Sequence, residues 1–164
     1  MAVNRGKDFE NNIRKQFEEL MQTFVLRLYD VTMGYCGIDN PCDLIVFRNG
    51  ALNLFECKAI HGNTLNFKSH IRENQWNKLL KYSEIECINA GILVWFIDND
   101  ATYFLDIRLL EMLKKSGRVS FNVKKDVENP NNSWIMKISG RKKKVFYEYD
   151  LDNFLFKLEW RDYV

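Results

Sequence analysis

The sequence has no apolar stretch long enough to span a membrane. Its longest run, GILVWFI at residues 91–97, falls far short of the roughly 18 residues a span requires. The opening MAVNRGKDFE lacks the apolar core of a secretory leader, so a cytoplasmic protein with no membrane partner is expected. There is no CxxC pair either. The four cysteines (Cys36, Cys42, Cys57, Cys87) are scattered, which argues against a structural zinc site. In a cytosolic chain of this length they also argue against a disulfide framework, so all four should be reduced and mostly buried. The two histidines, His61 and His70, stand in no HNH-like or metal-binding pair. Repeats and low-complexity segments are missing too. What remains is the composition of a globular protein: 164 residues, 46% hydrophobic and 28% charged. That is enough for one domain, residues 1–164, with a substantial core.

A net charge of +2 does not announce a nucleic-acid binder. Its distribution says more. Between Lys114 and Glu148 ten basic residues stand against three acidic ones, so that segment is +7 and the remainder −5. Such asymmetry suits a basic face on an otherwise neutral body, although a solvated lysine surface would look the same.

Helix and strand patterns alternate along the chain. GKDFENNIRKQFEELMQ places Phe9, Ile13, Phe17 and Leu20 on one helical stripe. FVLRLYD reads as a strand and VTMGYCGIDNPC as a loop. SHIRENQWNKLLKYSEI has the period of a single helix, with Ser69 as its cap and Gln75 sharing the apolar stripe. GILVWFI and TYFLDI read as neighbouring strands, RLLEMLKKSG as a helix ended by glycine, NPNNS as a turn and DLDNFLFKLEW as a closing helix. The order α-β-β-β-α-β-β-α predicts an α/β fold, a mixed β-sheet flanked by helices.

The most informative stretch is DLIVFRNGALNLFECK, residues 43–58. Asn49-Gly50 is a strong signal for a two-residue type I′ turn. Arg48 then faces Ala51, facing residues sum to 99, and Asp43 confronts Glu56. Opposed Cβ atoms lie roughly 4.5–5.5 Å apart, so two carboxylates meet at one end of the hairpin. Like charges there are destabilising unless a cation sits between them. Lys58 follows on the same face, about 6.5–7 Å along the strand. Phe55 and Cys57 point the other way, where packing explains both.

Two carboxylates and waters make an oxygen-rich site for Mg²⁺, which keeps part of its hydration shell. Such an ion polarises a phosphate and acidifies a bound water, and a neighbouring lysine stabilises the developing charge. The residue types therefore point to phosphodiester hydrolysis. The competing reading is a surface Asp–Lys–Glu cluster that merely satisfies itself.

Pro41-Cys42-Asp43, twelve residues, then Glu56-Cys57-Lys58 resembles the motif of the PD-(D/E)XK nuclease superfamily. Within it, NRGKDFENNI, the glycine-bearing loop, the hairpin and ENQ look like the Holliday-junction resolvases, both the archaeal type and the bacterial recombination-protein-U group with its small phage-borne relatives. The resemblance covers roughly residues 5–110. Cys42 departs from it by splitting the usual Pro-Asp pair, where the proline does no chemistry. The resemblance implies a restriction-endonuclease-like fold and a Mg²⁺-dependent enzyme, with Mn²⁺ able to substitute. It implies Asp43, Glu56, the Cys57 backbone carbonyl and Glu10 at the metal, Lys58 as catalytic lysine, and Gln75 facing the site from the following helix. Its substrate would be a branched or four-way DNA junction, nicked in pairs by a homodimer in a bacterial or phage-infected cell. On the residues alone Glu10 looks no different from Glu18 and Glu19.

Arg5, Lys7, Thr32, Tyr35, His61, Lys142, Lys143 and Lys144 are candidate DNA contacts. Each also reads as ordinary surface or loop chemistry. Two alternatives stay open: another nuclease of the superfamily, for end processing or restriction, and a non-catalytic DNA-binding protein on the same scaffold.

Overall fold

A computed structural model of the protein describes residues 4–29, 40–127 and 133–161. Thr32, Tyr35, Cys36 and most of the NPNNS turn lie outside them. The elements in chain order are α1 (Arg5–Glu18), β1 (Phe24–Arg27), β2 (Leu44–Arg48), β3 (Ala51–Ile60), β4 (Thr64–Asn66), α2 (Phe67–His70) and α3 (Glu73–Ser83). There follow β5 (Ile88–Phe96), β6 (Ala101–Asp106), α4 (Ile107–Lys115), β7 (Ser120–Asn122), α5 (Val123–Asp126), β8 (Ile135–Lys137), β9 (Gly140–Lys142), β10 (Tyr147–Tyr149) and α6 (Leu151–Trp160).

Six strands form the main sheet in the order β1-β2-β3-β5-β6-β8. Only β3 and β5 run parallel; the other pairs are antiparallel. The parallel pair needs a crossover, and the segment containing α3 supplies it. This is the expected mixed sheet flanked by helices. β4–β7 and β9–β10 form two further two-stranded sheets. Among the described residues no helix is long and apolar enough to cross a membrane.

The sheet carries an apolar layer on each face. On one side Phe9, Ile13 and Phe17 of α1 are fully buried with Phe154, Leu155 and Leu158 of α6 against Phe55, Cys57, Leu93 and Phe104. Each such side chain contributes about 1.5–3 kcal/mol by leaving water. The Phe55 ring stacks on Phe17 at 5.7 Å and meets Phe104 edge-on at 5.7 Å. On the other side Leu54, Ile60, Ile92, Val94 and Leu105 pack under Trp76 and Leu79 of α3 and Leu110 of α4. Gly91 permits the close approach of β5 and β6: a Cβ there would lie 2.3 Å from the Leu105 carbonyl oxygen.

This two-sided packing fixes the register of β3. With Phe55 and Cys57 held on the α1–α6 face, strand alternation sends Glu56 and Lys58 to the α3 face. Asn53 and Asn89, register partners on β3 and β5, add a buried hydrogen bond of 2.9 Å that pins the parallel pair.

Two expectations are corrected. The helix read across residues 69–85 is broken: α2 stops at His70, Ile71 is extended, and α3 begins at Glu73. Ser69 caps neither piece. Asn66 caps α2, accepting from the Lys68 and Ser69 N–H groups, while Arg72 precedes α3 without a side-chain cap. The apolar period continues through the break, but the Asn66 cap starts a separate short turn upstream of it. Cys42 and Cys57 are buried as free thiols, whereas Cys87 is exposed.

Candidate active site

The turn chemistry read from Asn49-Gly50 sets the register of the hairpin. Both residues have positive φ, 49° and 80°, and the partners run from Arg48↔Ala51 to Leu44↔Phe55, each pair summing to 99. The regular ladder ends there, one pair short of Asp43 and Glu56. Asp43 instead turns its N–H to the Phe55 carbonyl at 3.1 Å, and its carbonyl accepts from Leu28 at 2.9 Å. Its carboxylate Oδ2 accepts the Cys57 N–H at 2.7 Å. Asp43 is therefore held against the β3 backbone beside Glu56, not as a simple facing pair.

Glu56 is 1% exposed. Lys58 Nζ donates to its Oε1 at 2.7 Å, and Gln75 Nε2 donates to its Oε2 at 2.9 Å. Burial and the negative charge of Asp43 push the Glu56 carboxyl up to about 7, against the opposing pull of Lys58 and Arg72. Gln75 is equally buried, and its Oε1 has no hydrogen-bond partner. A buried carbonyl oxygen left without a donor costs on the order of 1–3 kcal/mol. Such an atom beside two carboxylates marks a place built to receive something that donates hydrogen bonds.

Asp43, Glu56, Lys58 and Gln75 are thus brought together. Glu10 stands on α1, on the Cys57 side of the sheet; its carboxylate accepts from Arg27 Nε, and its charge reaches the Cys57 thiol. Among the described residues no group of three or more His, Cys, Asp or Glu side chains is arranged to hold a metal ion. The two carboxylates and the orphaned carboxamide oxygen nevertheless fit one ligand chemistry, a hard divalent cation that keeps most of its own water. Asp43 and Glu56 would hold it, and Gln75 Oε1 would accept from its water shell. The Cys57 thiol points into the opposite core, where burial raises it well above the ordinary range.

The remaining candidates are spread more widely. His61 follows β3; its Nδ1 lies 3.0 Å from Asp98 Oδ1, and the Gly62 N–H donates to Asp98 Oδ2 at 2.6 Å. Arg5 and Lys7 open α1, on the α1–α6 side. Lys142, on β9, pairs with Asp100, and Lys143 pairs with Glu148 at 2.7 Å, so two of the three lysines in that run are neutralised.

Sequence reasoning does not find residues 70–72. The Asn66 N–H donates to His70 Nδ1 at 2.9 Å. Burial and the Lys58 charge hold His70 below the ordinary histidine range, and Arg72 is close enough for its charge to act on Glu56. Only the break between α2 and α3 turns this segment toward Lys58, and the periodic pattern conceals that break.

No family model matches the chain, and no curated protein matches it. Among solved structures it is similar to Archaeoglobus fulgidus Hjc, a Holliday junction resolvase from an archaeal hyperthermophile. The two are 13% identical, the match covers 63% of this chain and 78% of that one, and the TM-score is 0.47.

Proposed function

We propose that the protein is a divalent-metal-dependent DNA endonuclease of the restriction-endonuclease-like class that resolves four-way junctions as a homodimer. The observation that carries this reading is the convergence of Asp43, Glu56, Lys58 and the unpartnered Gln75 Oε1 at one end of the hairpin. A bound Mg²⁺ or Mn²⁺ ion would supply polarisation of the scissile phosphate and a more acidic water.

The chain's own groups do the positioning. Asp43 is fixed by the Cys57 N–H, and Glu56 is held from both sides by Lys58 and Gln75. Lys58 spends one of its three N–H donors on Glu56 and offers the others to the attacking water or a phosphate oxygen. There its charge stabilises the pentavalent phosphorus as negative charge accumulates. Gln75 Oε1 orients a water by accepting one of its hydrogens.

Two symmetric nicks require two such sites, and the chain carries a single D…ExK set. A second copy must supply the other. The edge of the sheet offers a surface for it. Phe24 and Phe47 are cross-strand partners, 58% and 45% exposed, with Leu26 beside Phe24 on the same face at 44%. An apolar face of this kind can meet its own copy about a two-fold axis without like-charge repulsion.

The test is cleavage of four-way, Y-shaped, duplex and single-stranded DNA compared in Mg²⁺, Ca²⁺ and excess EDTA. Cleavage of the four-way junction in Mg²⁺, binding without turnover in Ca²⁺ and silence in EDTA are expected. Equal cutting of all four substrates would remove the junction specificity, and undiminished cutting in EDTA would remove the metal.

A further inference from the structure

The β4–α2 and β7–α5 segments are two copies of one small unit. Their strands pair antiparallel, Thr64↔Asn122, Leu65↔Phe121 and Asn66↔Ser120, about a local two-fold axis. In each, the last strand residue is an asparagine that caps a four-residue helix. Asn66 Oδ1 accepts from the Lys68 and Ser69 N–H groups at 3.1 and 3.0 Å, and Asn122 Oδ1 from those of Lys124 and Lys125 at 3.0 and 3.2 Å. The N–H of each asparagine goes to the side chain four residues on, His70 Nδ1 at 2.9 Å and Asp126 Oδ2 at 2.7 Å. Leu65 and Phe121 are fully buried, and Phe67 and Val123 nearly so.

The consequence is a rooted platform. Its apolar residues sit in the core and its helix-start donors are consumed internally. Lys68, Lys124 and Lys125 are left exposed with no salt bridge among the described residues, although the charge of Lys125 acts on the Asp126 carboxylate that Arg118 pairs. This contrasts with Lys142 and Lys143, which are neutralised by Asp100 and Glu148. A cleft of about 290 Å³ opens beside Lys68, lined by Phe67, Ile71 and Trp76 and by Lys68, Lys114 and Arg118, the last paired with Asp126, with Glu73 its one acid. The platform also adjoins the carboxylate site. His70 is its last residue, and five positions later Gln75 bonds Glu56.

We propose that this paired unit is a DNA-backbone platform, on which Lys68, Lys124 and Lys125 hold phosphates of the strand that enters the Glu56–Lys58 site. The inference rests on the nuclease reading above and names the surface that reading needs. Lysine acts as a point charge without the bidentate geometry of arginine, so it tolerates any sequence and favours a repeating polyanion.

The test is the salt dependence of junction binding by the Lys68→Ala/Lys124→Ala/Lys125→Ala protein. Affinity for a four-way junction should fall at least tenfold at low salt. The slope of log K against log salt should shrink by roughly 0.9 for each phosphate no longer neutralised, hence by about two to three. The matching triple arginine variant should restore both. Melting temperatures show whether the fold has survived, which is expected because all three side chains are exposed. A folded alanine variant with unchanged affinity and slope, beside a wild type that cleaves junctions, overturns the platform alone. A wild type that cleaves no DNA in Mg²⁺ overturns the nuclease reading beneath it.

Discussion

Gln75 gives its Nε2–H to Glu56 at 2.9 Å while its own Oε1 stays buried and unpartnered. The pair joins α3 to β3 across the inner face of the sheet and leaves half of a carboxamide waiting for a donor. Glu56 is in the complementary state, a buried carboxyl whose ionisation Asp43 opposes. One hydrated cation would answer both needs.

Asp43→Asn, Glu56→Gln and Lys58→Ala should each lower turnover by at least about a hundredfold with junction binding retained, since each removes charge from the reacting constellation and none removes core volume. Gln75→Ala should cost less, roughly tenfold, because it removes an orienting acceptor. Single-turnover cleavage with a separate binding measurement checks all four. Near-normal cleavage by Glu56→Gln would sink the site.

The same residue governs a pH effect on stability. The Glu56 carboxyl lies near 7 in the fold and near 4.5 when unfolded, so the folded state binds its proton more tightly. Relative stability is therefore full below about 4.5 and is lost as pH rises through about 7, a change of roughly 3 kcal/mol. Glu56→Gln should melt higher than wild type at pH 8 in EDTA, and the gap should close by pH 4.5. Millimolar Mg²⁺ should narrow the gap at pH 8 by stabilising only the wild type. Parallel melting curves across the whole range would contradict this account.

The basic hairpin should matter less than its sequence promises. Lys142 and Lys143 are already paired, so alanine at Lys142, Lys143 and Lys144 should flatten the salt slope of junction binding by about one. A loss of between two and three would show that those ion pairs open on DNA.

Sedimentation at micromolar concentration should give a mass near twice 19.6 kDa, and Phe47→Glu, which places a charge on the exposed face of β2, should shift it toward the monomer. On a cruciform plasmid the wild type should yield mainly linear product and the monomeric variant mainly nicked circles. A wild type that is strictly monomeric would remove the paired-nick reading and leave the nuclease one.

Much of this architecture is local and was therefore legible. Asn49-Gly50 demanded positive φ at both turn positions, and that set the hairpin register without any knowledge of the rest of the chain. The spacing of Phe9, Ile13 and Phe17 decided which face of α1 is buried, and alternation along β3 separated Glu56 from Cys57. The apolar stripe carrying Gln75 already asked for a buried partner.

The tertiary structure decided what depends on residues far apart in the chain. The ladder stops short of Asp43 because its carboxylate and N–H find β3 groups first. Arg27, seventeen residues on, takes up the Glu10 carboxylate, which no helical pattern encodes. The β4–β7 pairing joins segments 58 residues apart, so the kinship of Asn66 with Asn122 becomes visible only when the strands meet. Local sequence sets turns, caps and faces through steric and hydrogen-bonding preferences of neighbouring residues. Which charges end up side by side depends on long-range pairing, and that is settled by the packing of the two layers on the sheet.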